Sequence, residues 1–299
     1  IVKCLDNFST GYRHNIVQLL DNNNFHLIEG DIRDLEICKD ATKNVDFVLH
    51  QAALGSVPRS IKDPKTSNEV NVDGFLNILI ASKENNVQRF VYAASSSTYG
   101  DSEHLPKVES KIGNPLSPYA VTKLVNELYA NIFKRCYNFD TIGLRYFNVF
   151  GPKQDPNGAY AAAIPLFIKK LIQHQSPIIN GDGTHSRDFT YIDNVVQMNV
   201  LAMLTDDKNA LNQVYNTAVG ERTSLLDLVG ILKKYLSAYD EKISSVEIVH
   251  GPEREGDIPH SLASIDKAKK LLNYQPSYKM EDGINKAISW YWENLSKND

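Results

Sequence analysis

"RFVYAASS", Arg89–Ser96, is an apolar run that stops abruptly at small hydroxyl-bearing residues. A run this short and this continuously apolar reads as a strand covered on both faces. Directly before it stands "TSNEVNVDGFLNILIASKENN", Thr66–Asn86, with the periodicity of a helix. Ahead of that comes a second apolar run, "VDFVLHQAA", Val45–Ala53, and runs of the same kind recur at "IVKCLD", "FHLIEGD" and "TIGLRYFNVFG". Buried runs alternating with helices predict βαβ units and a mostly parallel α/β sheet. Several runs end on small or polar residues, among them Asp6, Asp31, Ala52, Ala53 and Ser95. Ligands of open α/β sheets sit outside the carboxyl ends of the strands, where such residues leave room and supply hydrogen bonds.

After Gly151 the alternation loosens into loops rich in Gly, Pro, Asn and Asp, such as "GPKQDPNGAY" and "NGDGTHSRDF". Helical segments follow, including "SLLDLVGILKKYL" and "MEDGINKAISWYWENL". The expected organisation is a doubly wound, Rossmann-type domain over residues 1–150 and a smaller C-terminal α/β lobe over 151–299 that binds substrate, with some of its segments returning to the first domain.

Composition narrows the function classes. The chain has 299 residues, 42% hydrophobic and 23% charged, with a formal net charge of −4. That core-forming content suits a globular protein. The mild acidity offers no general field for nucleic acid or anionic lipid, so a bound anion must meet a local donor cluster. No apolar stretch approaches the roughly 20 residues that cross a bilayer. Cys4, Cys38 and Cys136 form no CxxC pair, which suggests neither a zinc site nor a disulfide framework and fits a reducing, cytoplasmic compartment. The eight histidines are scattered; His50 and His185 sit near motifs but read as structural, and no metal is expected.

A sheet of this kind that holds a dinucleotide usually opens with a Gly-rich turn, followed about 20 residues later by an acid for the ribose hydroxyls. No GxGxxG occurs, yet "IVKCLDNFSTG" has the look of the second strand, with Asp6 where that acid belongs. Counting back puts the glycine turn ahead of Ile1, so the chain is expected to lack its first βα unit. Asp6 would accept from both ribose hydroxyls and repel an added phosphate, which favours NAD over NADP.

"NPLSPYAVTKLVNELYANIF", Asn114–Phe133, places Tyr119 and Lys123 four residues apart behind Pro115 and Pro118. Residues at that spacing share one helix face. A free phenol titrates near 10 and is a weak base at neutral pH. A nearby ammonium and the positive nicotinamide ring of NAD favour the phenolate. Tyr119 can then take a proton from a sugar hydroxyl as hydride leaves the same carbon, while a serine hydroxyl bridges substrate and tyrosine.

The ordered set "DNFSTG", "GDIRD", "HQAA", "SSSTYGD", "SPYAVTK" and "LRYFNVFGP" resembles the extended short-chain dehydrogenase/reductase family, and within it the NAD-dependent nucleotide-sugar 4-epimerases, UDP-N-acetylglucosamine 4-epimerases above all. The resemblance covers essentially the whole chain and fails at the absent Gly-rich start. It implies an isomerase that oxidises and re-reduces the sugar 4-OH through a transient 4-keto sugar, with Ser95, Tyr119 and Lys123 as catalytic residues. It implies NAD contacts at Asp6, Asn7, Thr10, Gly11, Asp31, Ile32, Gln51, Ala52, Ala53, Asn71 and Tyr146, besides Tyr119 and Lys123. Substrate contacts are implied at Ser56, Ser95, Ser96, Asn148, Arg187, Arg254, Asp257 and Ser261. Arg187 and Arg254 would grip the UDP diphosphate through their planar donor forks, although acids neighbour both and each reads equally as a surface ion pair. The family's dehydratases carry an Asp-Glu pair after the catalytic Ser/Thr; here Ser96 and Ser97 follow Ser95, which disfavours dehydration. The resemblance also implies that Ser261 stands where a bulky aromatic in related epimerases restricts the pocket to unacetylated hexoses, so UDP-N-acetylglucosamine and UDP-N-acetylgalactosamine are the expected pair. UDP-glucose and UDP-uronate 4-epimerases, a decarboxylase and a non-catalytic NAD-binding scaffold remain alternatives. The resemblance also implies a homodimer joined through helices, the Tyr119 helix included.

Overall fold

The computed structural model describes residues 1–157, 162–252 and 258–296. Two compact units emerge. The first comprises Ile1–Ser102, Ile112–Arg145 and Asn199–Tyr215; the second comprises Glu103–Lys111, Tyr146–Met198 and Asn216–Asp299.

The first unit holds most of the longer strands, and parallel pairs occur in both units. β1 (Val2–Asp6) pairs with β2 (Phe25–Glu29). β3 (Phe47–His50), β4 (Arg89–Ser95) and β5 (Thr141–Tyr146) line up with β10 (Gln213–Thr217) in a four-stranded sheet of order β10-β5-β4-β3. β3 and β4 run parallel, with Phe47 opposite Arg89 and His50 opposite Tyr92. β4 is buried from Phe90 to Ser95, as its unbroken apolar run requires. The mixed α/β architecture with parallel strands is the one expected from the alternation of runs and helices.

Helices α1 (Leu35–Thr42), α2 (Val57–Lys62), α3 (Pro64–Asn68) and α4 (Gly74–Glu84) belong to this unit, with a π-helical turn at Glu69–Asp73 joining α3 to α4. The core gathers Phe75, Leu79, Phe90, Tyr92 and Phe133. Phe75 meets Phe90 edge-on at 5.7 Å, and His50 stacks on Phe90 at 5.8 Å. Burial, aided by the charge of Lys123, pushes the His50 pKa down to about 3. His50 is therefore a neutral core ring at physiological pH.

α5 (Pro118–Tyr137) is the longest helix described. Pro118 at its first position has the φ a helix needs and no N–H to leave unpaired. It ends at Asn138, whose φ of 53° is left-handed.

The second unit is built from paired short strands and helices. β6 (Val149–Phe150) pairs with β9 (Thr190–Tyr191), β7 (Ile178–Asn180) with β12 (Val249–Gly251), and β8 (Ser186–Arg187) with β11 (Thr223–Ser224). Helices α6 (Ala163–Ile172), α8 (Leu225–Leu236), α9 (Asp266–Leu272) and α10 (Met280–Leu295) complete it. Its core packs Phe150, Phe167, Leu171, Leu228, Leu232 and Ile284. The apolar run "TIGLRYFNVFG" thus holds two strands, because Asn148 takes a φ of 35° between them. α7 (Ile192–Leu204) has its first residues in the second unit and its last in the first. No described helix is long and apolar enough to cross a membrane.

Candidate active site

The start of α5 has a full account of its backbone donors. Pro118 has no N–H. Tyr119 N–H donates to Ser60 Oγ at 3.0 Å, Ala120 N–H to Ser117 Oγ at 3.2 Å, and Val121 N–H to the Ser117 carbonyl at 3.0 Å. Every amide of the first turn is thereby satisfied.

Tyr119 is half-buried. Burial raises the phenol pKa, and the nearby Ser95 hydroxyl pulls it back down. Ser95 lies 9% exposed at the end of β4. Its Oγ accepts from Ser97 N–H at 3.1 Å and from Ser97 Oγ at 2.9 Å. Ser96 beside it is half-buried. Lys123, 2% exposed, donates from Nζ to the Ala93 carbonyl at 2.9 Å, and Nζ lies 5.9 Å from the centre of the Tyr119 ring. Burial alone drops the Lys123 pKa to about 8. Ser95, Tyr119 and Lys123 are thus brought together, by one strand end and one helix start.

Two ties hold those elements. Gly100, at φ +53°, passes so close to Asn114 that a Cβ would lie 1.8 Å from its carbonyl oxygen. Asp101 then accepts from the Asn114 backbone N–H at 2.7 Å and from its side-chain amide at 3.0 Å. Deeper in, Glu127, two turns beyond Tyr119, takes a bidentate bond from Arg145 at 2.9 and 2.7 Å, and Arg145 lies 4.8 Å from the centre of the Tyr99 ring.

The predicted cofactor residues fall into groups. At the end of β1, Asp6 accepts from Phe8 N–H at 2.7 Å, and a Cβ on Gly11 would sit 3.7 Å from the Asp6 carboxylate. Asn7 donates to Asp31 at 2.9 Å. Arg33 grips the same carboxylate at 2.7 and 3.0 Å and holds its pKa down to about 2. Thr10 is exposed and lines a cavity with Arg59 and Ser67. Ile32, 7% exposed, sends its side chain into the core. Gln51 donates to Asn199 at 3.0 Å, and Ala52 and Ala53 follow β3 with exposed and half-buried side chains. Asn71, inside the π-helical turn, accepts from Leu54 N–H at 2.7 Å and donates to the Leu54 carbonyl at 3.1 Å and to Thr122 Oγ1 at 3.2 Å. It fastens the loop after β3 to α5. Ser56 follows that loop with a φ of 95° and accepts from Arg59 N–H.

In the second unit, Arg187 donates to the carbonyls of Ser186 and Pro259 at 3.0 and 3.1 Å, and Ser261 N–H donates to the Ser186 carbonyl at 2.9 Å. Arg187 therefore lies in β8, and Ser261 is bonded to the same short strand. Asn148 donates to the Asp188 carbonyl at 3.2 Å. Tyr146 ends β5, half-buried. Arg254 and Asp257 lie outside the described residues.

Sequence reasoning passed over four residues. Ser60, Asp101 and Thr122 bond partners far along the chain. Asp188, fully buried, accepts from the N–H groups of Val219, Gly220 and Ala263 at 3.1, 3.1 and 3.2 Å. Burial pushes its carboxyl up to about 7 against those three donors. An acid directly after Arg187 in "SRDF" was the available signal for it.

Comparisons with known proteins agree with this geometry. A putative UDP-glucose 4-epimerase of Methanocaldococcus jannaschii is 35% identical over 292 residues, an alignment covering 97% of this chain and 90% of the relative. The structure of UDP-N-acetylglucosamine 4-epimerase from Methanobrevibacter ruminantium M1, in complex with UDP-N-acetylmuramic acid, is 36% identical, with a TM-score of 0.91, covering 98% of this chain and 90% of that one. UDP-glucuronic acid 4-epimerase from Bacillus cereus, in complex with UDP-glucuronic acid and NAD, is 30% identical, with a TM-score of 0.86, covering 98% and 91%. The model of the NAD dependent epimerase/dehydratase family matches residues 2–218, and the chain belongs to that family.

Proposed function

We propose that this protein is an NAD-dependent UDP-sugar 4-epimerase, an isomerase, that interconverts UDP-N-acetylglucosamine and UDP-N-acetylgalactosamine in the cytoplasm. The observation that carries the reading is the juxtaposition of Ser95 at the end of β4 with Tyr119 and a buried Lys123 one turn apart on α5, Lys123 Nζ lying 5.9 Å from the centre of the Tyr119 ring.

Lys123 also bears on whether the residues fit the cofactor. An ammonium has three N–H donors. The Ala93 carbonyl takes one, and no counter-charge shifts the Lys123 pKa. A buried cation so placed suits the hydroxyls of a nicotinamide ribose. Asp6, Asn7, Thr10, Gly11, Asp31 and Ile32 would hold the adenosine end, and the loop Gln51–Ala53, with Asn71 and Tyr146, the remainder. NAD, when bound, supplies a hydride acceptor and donor for sugar C4.

Tyr119 Oη takes the proton of the 4-hydroxyl and gives it back after the sugar has turned. Ser95 Oγ bridges the sugar oxygen and the Tyr119 oxygen, donating to one and accepting from the other, and so keeps the two in line for the proton transfer. Lys123 supplies the positive charge that offsets the raised phenol pKa. Ser56, Ser96 and Asn148 bond the sugar and phosphate. Arg187, with Arg254 and Asp257, anchors the UDP part while the sugar rotates. Ser261, small and half-buried, leaves space for an N-acetyl group. A homodimer through α5 belongs to the same reading, because Val121, Leu128 and Ile132 stand 48%, 58% and 46% exposed along that helix.

A second reading, UDP-glucose or UDP-uronate as substrate, is supported by the relatives that act on those sugars. The test is NAD-loaded protein with UDP-N-acetylglucosamine, UDP-glucose and UDP-glucuronate, with products resolved by NMR. The N-acetylated sugar should give its galacto epimer fastest, without NADH accumulating. Ser261→Tyr should depress that turnover far more than turnover of UDP-glucose. A product that has lost water, or no epimer from any sugar, overturns the reading.

A further inference from the structure

We propose that Ser60 is a positioning residue for Tyr119, acting through the backbone rather than through substrate; the proposal rests on the reading of Tyr119 as the proton-transfer group. Ser60 is fully buried near the end of α2. Its hydroxyl donates to the Val57 carbonyl at 2.8 Å and accepts the Tyr119 N–H at 3.0 Å. The first bond fixes the direction of the lone pairs, so the hydroxyl is not free to turn away from Tyr119. The second takes the one donor of the first turn of α5 that Ser117 does not reach.

The placement has a chemical consequence. Ser56 caps α2 four residues before Ser60, and Ser56 stands directly after the loop that Asn71 fastens. One rigid piece, Ser56 to Ser60, therefore joins that loop to the backbone of Tyr119. Removing the Ser60 oxygen leaves a buried N–H without an acceptor, which costs about 1–3 kcal/mol unless the turn shifts to find another. Such a shift moves the Tyr119 ring relative to Ser95. A misplacement of about 1 Å at a reacting group can slow a step by about 10²-fold.

The test uses the full-length chain carrying Ser60→Ala, with Ser60→Cys as the near-isosteric variant that keeps a weak acceptor and stands in if the alanine protein does not fold. Tyrosine labelled with carbon-13 at Cζ is titrated by NMR in NAD-loaded protein, and the Tyr119 signal is assigned from a Tyr119→Phe control. Moving the phenol away from the Ser95 hydroxyl should raise the Tyr119 pKa by about half a unit or more. In parallel kcat should fall about tenfold while KM stays within about twofold, since the interaction matters in the transition state more than in binding. Cysteine should give a smaller change of the same sign. An unchanged Tyr119 titration in a folded variant overturns the proposal. The titration needs no turnover, so a moved pKa in a protein that epimerises no UDP-sugar would support Ser60 and strike the proposed reaction alone.

Discussion

The ammonium of Lys123 donates to the carbonyl oxygen of Ala93 at 2.9 Å, so the cation beside Tyr119 is moored to the same strand that presents Ser95. Helix and strand thus set the spacing of phenol, amine and hydroxyl jointly.

That mooring has an energetic cost that can be measured. Lys123 titrates at about 8 in the fold against an ordinary value of 10.5. Between those values the unfolded chain holds a proton that the folded chain has lost, so stability rises with pH across this window. Below it both states are protonated, and burying the charge costs about 3 kcal/mol. Lys123→Met should therefore raise the melting temperature at pH 7 and flatten the dependence between pH 8 and 10.5, followed by calorimetry. Activity should drop by roughly 10² or more.

Asp31 runs the other way. Arg33 depresses its pKa from 3.8 to about 2. A depressed carboxyl contributes stability that is complete above its unfolded value and lost as pH falls toward 2. The Arg33 and Asp31 side chains are 44% and 26% exposed, so solvent limits the gain to about 1 kcal/mol. Arg33→Met should shift the acid-unfolding midpoint upward by circular dichroism and weaken NAD binding by calorimetric titration, leaving melting at pH 7 within a few degrees.

Ser56 combines strain with function. Its φ of 95° is unfavourable for a residue with a Cβ, and such conformations cost about 1–3 kcal/mol. Glycine removes that strain and gives up only a few tenths of a kcal/mol as an N-cap. Ser56→Gly should keep or raise the melting temperature while raising KM for the UDP-sugar. Ser56→Val should lower the melting temperature by several degrees.

What was legible in the sequence divides along physical lines. The strand ending at Ser95 could be read because a continuous apolar run has one simple interpretation in an alternating chain. Tyr119 and Lys123 could be read because helical spacing is local and Pro118 marks the start. The division of "TIGLRYFNVFG" could not, since it depends on one backbone angle at Asn148. That the side chain of Ile32 packs in the core could not be read either, a matter of which way one residue faces. The roles of Ser60 and Asp188 were not legible for another reason, although the acid after Arg187 in "SRDF" was a signal. Their partners lie tens of residues away, and a lone serine or aspartate carries no record of which distant amide it accepts from.

The Glu127–Arg145 pair tests the brace behind the site. Its side chains are 9% and 4% exposed. Removing one partner strands a buried charge and should cost about 3–5 kcal/mol, whereas an apolar pair of similar volume can recover most of it. Arg145→Met should thus lower stability sharply in urea titration, and Arg145→Met with Glu127→Leu should restore much of it. If the brace also aligns Tyr99 and Ser95, the double variant will fold well and still turn over slowly.

The π-helical turn at Glu69–Asp73 limits what this segment can tolerate. One residue fewer would let it rewind as ordinary helix, and each residue upstream would swing by about 100° around the axis. The carboxamide of Asn71 would then lose Leu54, and the loop after the third strand would come adrift from α5. Here the count of residues matters more than their identity: side chains on the outer surface can be exchanged freely, but the length is locked.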